Sequence, residues 1–382
     1  MSIRKPIVVY RERYLPISET FIYEQIKHLQ EYKPYVLCKE ILPDAKRHFP
    51  HEHIYFLQDF RDKAIVLRRR GIRVIYARFG MGGVEMLPLK RAARLPMLTS
   101  FHGSDVSRQL NKRPDYREAL PALFAEGERF TVVCEHMKNK LIDLGCPAEK
   151  IAIIKSGIDL KKFPFCPKLS IEQGNIRILS VGRLTEKKGM DDLVLAFTRV
   201  ASVYPRAKLV IIGDGEERPR LESMIWSLGL ERHVELLGRQ NHEKVQEEMK
   251  ECNLFVLASR IASDGNEEGI PNVIMEAMAT GRLVIATKHA GIPELVKHEI
   301  TGYLVQENAP HQLGGMMLKA LKNQEDWSDI IAKGREMVEE EHNVHKQIRK
   351  LEAVINEIIP QGRVRARRSK VKRRRMARKV RG

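Results

Sequence analysis

Long apolar runs are missing from this chain. The longest, such as Leu209–Ile212 and Leu254–Ala258, fall far short of the roughly 20 residues that cross a bilayer. The opening MSIRKPIVVY has too short an apolar segment before the polar RERY to serve as a secretory signal, so the expected location is cytoplasmic. Paired cysteines are missing too. Cys38, Cys134, Cys146, Cys166 and Cys252 are odd in number, scattered and never spaced C-x-x-C. That argues against a disulfide framework or a thiolate zinc site, and they read as reduced, mostly buried thiols. No G-x-x-x-x-G-K-[ST] occurs, which argues against a P-loop kinase. No Asp-x-Asp pair occurs to hold Mg²⁺ or Mn²⁺ at phosphates. His48, His51 and His53 cluster in HFPHEH but fit no common metal spacing. No metal and no cofactor are therefore expected.

What is present is length and charge. The chain has 382 residues, enough for two domains, and its 43% hydrophobic and 30% charged content is that of a folded globular protein. The net charge of +18 is uneven: residues 361–382 carry 12 Lys or Arg and no acid, leaving 55 basic against 49 acidic residues elsewhere. Such a tail repels itself and is expected to be disordered when free. It suits an anionic membrane surface at about 1 kcal/mol per basic residue. RNA or DNA phosphates are the weaker alternative, because no aromatic is interleaved for base stacking.

Strand-like and helix-like patterns alternate. PIVVY, PYVLC, HIYFL, RVIYARF, MLTSF, FTVVC and IAIIKSG read as strands; Ser18 to Gln30, with Ser18 as N-cap, and Asp59 to Arg70, stopped by Gly71, read as helices. After an aperiodic stretch from Gly157 to Asn175 the rhythm restarts with IRILSVG, KLVIIGDG, HVELLG, LFVLAS and LVIAT. This predicts an α/β protein of two Rossmann-like domains facing across a cleft, 1–165 and 166–359, followed by a basic tail at 360–382. Ligands of open α/β sheets sit beyond the C-terminal strand ends.

Three stretches at those ends carry chemistry. SFHGSD places His102, Gly103 and Asp105 after one strand. SVGRLTEKKG places Gly182, Arg183, Lys187, Lys188 and Gly189 after another, and Arg183 with Lys188 suits a diphosphate. In NEEGIPNVIMEAMATG a helix is expected from about Pro271 to Ala279, with Gly281 as its stop. Glu268 then lies on the loop before it and Glu276 within it, so two carboxylates bracket a helix start and can read two polyols. A sugar and a ribose joined by a diphosphate match that arrangement. One glutamate in an amphipathic helix is more often surface than ligand; the conjunction of all three stretches at strand ends outweighs that plainer reading.

These stretches, with IIGDGEER, VELLGR and AGIPELV...TGYLV, resemble the retaining, nucleotide-sugar-dependent glycosyltransferases of family 4, which have the GT-B architecture. The likeness covers nearly all of residues 1–359 and is densest from Ile176 to Val305. LPISETFIYEQI and GIPELV look most like a subset that builds bacterial exopolysaccharides of the colanic-acid type. By that resemblance Glu268 contacts donor-sugar hydroxyls, Glu276 the ribose, Arg183 and Lys188 the diphosphate, and His102 the donor sugar near the reacting carbon. Gly182, Gly269, Ile270, Pro271 and Asn272 complete the donor site. Arg78, in YARFG, stands where that subset often carries His. The partners implied are a nucleotide-sugar donor and a glycan or lipid-linked acceptor, with the protein peripheral on the inner face of the cell membrane. A sugar-nucleotide epimerase on a similar scaffold, or a non-enzymatic basic scaffold binding RNA or membrane, are the alternatives; product analysis and tail deletion separate them.

Overall fold

The computed structural model describes residues 4–16, 19–43, 45–59, 62–168, 170–171 and 175–360. The apolar, β-branched runs form two fully parallel sheets, one of seven strands and one of six. The first contains, in chain order, Lys5–Tyr10, Tyr32–Cys38, Ile54–Phe56, Ile75–Arg78, Met97–Ser100, Arg129–Val132 and Ile151–Ile153. The second contains Arg177–Val181, Lys208–Ile212, Val234–Gly238, Leu254–Leu257, Leu283–Thr287 and Tyr303–Val305. Within each sheet the order is third, second, first, fourth, fifth, sixth, and the first sheet adds its seventh at the edge. The strand order thus reverses beside the first strand of both sheets, the switch point where doubly wound folds bind ligands. Strands buried on both faces need continuous rather than alternating apolar sequence, as in Leu254–Leu257, every residue of which is buried.

The two-unit expectation holds. Four local elements differ from it. Tyr303–Val305 and a two-residue ladder between Arg13–Tyr14 and Glu40–Ile41 were not foreseen as strands. The helix expected over Asp59 to Arg70 is a short turn at Leu57–Asp59 followed by a helix at Lys63–Arg69, with Gly71 at φ 71° beyond it. The helix expected from Ser18 begins at Thr20 and ends at His28; Ser18 itself lies outside the described residues.

The last helix, Val344–Ile358, packs on the first sheet, whereas the boundary read from sequence grouped it with the second. Its apolar side chains Val344, Ile348, Leu351 and Ile355 recur at helical spacing and join Ile7, Val9, Ile22 and Ile26 in one core. Glu352 fixes the docking, its Oε1 accepting the N–H groups of Gln30 and Glu31 at 2.7 Å each. To return, the chain crosses beside the outgoing connection: Ile158 pairs with Asn343, and a Cβ on Gly157 would lie 2.6 Å from Val344 Cα. Among the described residues no helix is long and apolar enough to cross a membrane.

Candidate functional site

The first strand of the second sheet ends at Val181 and turns through Gly182–Arg183 into a short helical turn at Glu186–Lys188. Gly189 follows at φ 57°, where a Cβ would fall 2.0 Å from the Ala258 carbonyl oxygen; only glycine fits this turn. The turn carries Lys187 and Lys188 inward, and both are buried. The Lys188 stem passes over Gly182, whose absent Cβ would sit 3.3 Å from Lys188 Cδ and Cε.

Opposite them stands Glu268. Its Oε1 lies 2.8 Å from Lys188 Nζ and its Oε2 3.4 Å from Lys187 Nζ. Burial works against the carboxylate charge, but the two lysines outweigh it and hold the pKa down at about 2. Lys187 also donates to the Glu267 carbonyl at 3.1 Å. Arg183 differs: it is exposed, and its guanidinium has no hydrogen bond or ion pair to a described residue. A cation free of partners beside a buried Lys–Glu cluster is available to an anion from the cleft.

The Glu268 backbone is anchored by residues that sequence reasoning did not single out. Its N–H donates to His289 Nε2 at 3.0 Å; His289 Nδ1 lies 2.8 Å from Glu307 Oε1. Glu307 Oε2 also accepts the Ile261 N–H at 2.9 Å. Nothing in TKHAGIPEL marks His289 for this role.

The helix beyond runs Asn272–Thr280, with Pro271 at its N-cap and Gly281 at φ 84° closing it, one residue from the expected bounds. Glu276 projects from it, 9% exposed, and its carboxyl has no hydrogen bond or ion pair to a described residue. Burial, opposed by the charge of Lys162, pushes its pKa up to about 7. Ile270 is buried and Gly269 faces the first unit: a Cβ there would lie 2.8 Å from Val133 Cγ2 and 3.7 Å from the His102 carbonyl oxygen.

On the first unit, the fifth strand ends at Ser100 and the chain turns sharply through His102–Gly103. Asp105 builds this turn, its carboxylate accepting the N–H groups of His102 at 2.9 Å, Gly103 at 3.0 Å and Gly80 at 2.9 Å. Gly103, at φ 121°, comes within contact of the Glu267–Gly269 backbone, so the two strand-end loops meet across the cleft. His102 Nε2 lies 2.9 Å from Ser100 Oγ. Burial first, then the charges of Arg78 and Arg11, push the imidazole pKa well below the ordinary histidine value.

Carboxylates of the second unit bind the first directly. Glu267 meets His136 Nε2 at 2.9 Å and the Lys140 ammonium, and its pKa is held down at about 2 by these partners against the opposing effect of burial. Glu294 accepts the N–H groups of Glu135 and His136 at 3.0 Å each, filling the start of the helix Glu135–Asp143. Asp264 pairs with Arg108 at 2.7 Å and Lys112 at 3.3 Å.

The sequence-predicted residues His102, Gly182, Lys188, Glu268, Gly269, Ile270, Pro271 and Asn272 thus gather on facing loops, with Arg183 and Glu276 at the same strand-end and helix segments. Two of the HFPHEH histidines are spent locally: His51 Nε2 lies 3.2 Å from the Pro34 carbonyl and His53 stacks on Tyr35 at 4.8 Å.

Comparison with known proteins gives a consistent result. Residues 164–337 match the model of glycosyl transferases group 1 and residues 19–162 that of glycosyltransferase family 4. The amylovoran biosynthesis glycosyltransferase AmsK of Erwinia amylovora is 33% identical, over 75% of this chain and 70% of the relative. The putative colanic acid biosynthesis glycosyltransferase WcaL of Escherichia coli is 33% identical, over 71% of this chain and 67% of the relative. Among solved structures, HepE of Anabaena in complex with UDP and glucose aligns with a TM-score of 0.77 at 20% identity, covering 92% of this chain and 99% of that one.

Proposed function

Because the chain belongs to the glycosyltransferases of group 1 and family 4, we propose that it moves a hexose from a UDP- or GDP-sugar to a glycan or lipid-linked acceptor in exopolysaccharide synthesis. The anomeric configuration is kept. The observation that carries this reading is the buried Lys187–Lys188–Glu268 cluster, set against the His102–Gly103 turn with the partner-free Arg183 beside it.

The geometry supports one set of roles. When the bond from the sugar's reacting carbon to the diphosphate oxygen breaks, the electron pair leaves with the diphosphate. Arg183 and Lys188 meet that growing negative charge in a partly dehydrated cleft. Glu268, already ionised, accepts hydrogen bonds from sugar hydroxyls, and its anchoring through His289 and Glu307 keeps it placed without reorganisation. Glu276, buried and with no partner for its carboxyl among the described residues, accepts from the ribose. The acceptor oxygen then takes the vacated carbon, and its proton departs to the leaving phosphate oxygen. The cations belong to the protein, so no metal is needed.

Product analysis after a donor screen with UDP-, GDP- and ADP-sugars tests the reading. Transfer to an acceptor with the donor's anomeric configuration, undiminished by EDTA, is the expected result. Inversion, a requirement for Mn²⁺, or an altered sugar without any acceptor would overturn it.

A further inference from the structure

The imidazole of His102 lies among groups that the proposed donor chemistry does not use. Phe21 and Phe79 each hold their ring centroid 4.9 Å from it, one tilted and one nearly edge-on. Each phenylalanine in turn carries an arginine over its ring, Arg78 at 5.9 Å from Phe21 and Arg11 at 4.5 Å from Phe79. Two further features show that the fold maintains this arrangement against a cost. Phe79 adopts φ 64°, a region that bulky residues avoid. Arg78 is 1% exposed, with Nη1 bonded to Gln25 Oε1 and the Tyr76 hydroxyl, yet its Nε and Nη2 have no partner among the described residues.

We propose that Phe21 and Phe79, with Arg78 and Arg11 over their rings, are positioning residues that reserve His102 for a neutral, hydrogen-bonding role beside the transferred sugar. The inference rests on the transferase reading, because such a sugar becomes oxocarbenium-like as its bond to the leaving group breaks. An imidazolium at that place would oppose the developing positive charge; a neutral ring, with Nε2 at Ser100 Oγ and no partner for Nδ1 among the described residues, can meet a hydroxyl without doing so.

The charged groups around the ring agree with this. Of the acids, Glu19 is committed to Arg11 through bonds of 2.9 and 2.6 Å, and Asp105 to three backbone N–H groups. Across the cleft Glu267 is committed to His136 and Lys140, and Glu268 to Lys187 and Lys188. No carboxylate of a described residue bonds the imidazole, while Arg11 and Arg78 remain near it as cations. Burial and these two charges both disfavour protonation.

Histidine ring resonances of the labelled full-length chain, with His102 assigned through a His102→Gln spectrum, read its protonation directly. His102 is expected to stay neutral well below the pH at which an ordinary imidazole, with its midpoint of about 6.5, takes up a proton. Arg78→Met removes a charge, and Phe79→Asn removes a ring with a residue that tolerates positive φ; each should raise the midpoint from the parent's toward the ordinary histidine value and add an acid limb to turnover that the parent lacks. A parent midpoint near 6.5, or an unchanged midpoint in both folded variants, would overturn the proposal. The spectra need no turnover, so a chain without transferase activity would count against the proposed function while the ring titration still decides this inference.

Discussion

The two rims of the cleft are built on the same sheet topology but hold their functional groups by different physics. On the second unit, a buried carboxylate sits between two lysines and an arginine stands free beside them, so the rim is charged, cationic on balance and ready for an anion. On the first unit, a single imidazole is flanked by two phenylalanine rings, and the nearby charges are either paired or held behind those rings. In the proposed reaction one rim stabilises the departing diphosphate and the other keeps charge away from a sugar that turns cationic. Charge complementarity is a matter of which residues are present, whereas exclusion of charge is a matter of how they are packed.

The largest break in this comparison comes from the charged rim. Lys188→Ala or Arg183→Ala should lower turnover about 100-fold to 1,000-fold, the usual loss for one donor to a developing anion. Steady-state kinetics check it, and turnover equal to the parent for Arg183→Ala would move the diphosphate elsewhere.

Glu276→Gln should weaken nucleoside diphosphate binding by roughly 1.5 to 3 kcal/mol, read by calorimetry. The pH dependence follows from the carboxyl being held at about 7 in the free protein. Ribose hydroxyls favour the ionised form, so affinity should rise between pH 6 and 8 and binding near pH 7 should release a proton. The same shift has the opposite effect on the unliganded fold. Because the folded pKa lies above the unfolded one, the native state holds the extra proton between about pH 4.5 and 7, and stability declines as pH rises through that window. Glu276→Gln should therefore raise the melting temperature of the unliganded protein at pH 8 and change it little at pH 4.5.

Contacts between the rims should matter less. Glu267→Gln loses a partly exposed pairing to His136 and Lys140 worth about 1 kcal/mol, and a roughly fivefold loss in kcat/KM is expected. Small-angle scattering should show a shift toward a more open shape, and added salt should produce the same shift in the parent.

The smallest effect on chemistry is expected from the basic tail, residues 361–382, which lie outside the described residues. A chain ending at Pro360 should keep its turnover on a soluble acceptor analogue but lose flotation with phosphatidylglycerol vesicles, a loss mimicked by salt in the full chain. Equal flotation by both chains would refute a membrane role for the tail. The run Arg68–Arg73 contributes less, because Arg68 donates to the Ala92 and Ala93 carbonyls and Arg70 lies over Tyr55.

The sequence by itself determined the alternation of strand and helix, because apolar runs rich in β-branched residues, such as Leu209–Ile212, end at a glycine. It also determined the charged rim, since Gly182, Arg183, Lys188, Glu268 and Glu276 lie in short segments where local turn and helix signals fix their placement. Only the tertiary structure decided what supports them. His289 and Glu307 reach the Glu268 loop from two strand ends about 20 and 40 residues further along the chain, and Glu294 and Glu267 act on a helix more than 100 residues away. Phe21, Phe79, Arg11 and Arg78 surround His102 from separate elements, so no spacing in the sequence relates them. The last helix shows the same limit: its apolar side chains recur at helical spacing, but nothing local says that they cover the first sheet rather than the second. Local propensity acts over a few residues, while packing partners are chosen by shape and burial after the chain has folded back on itself.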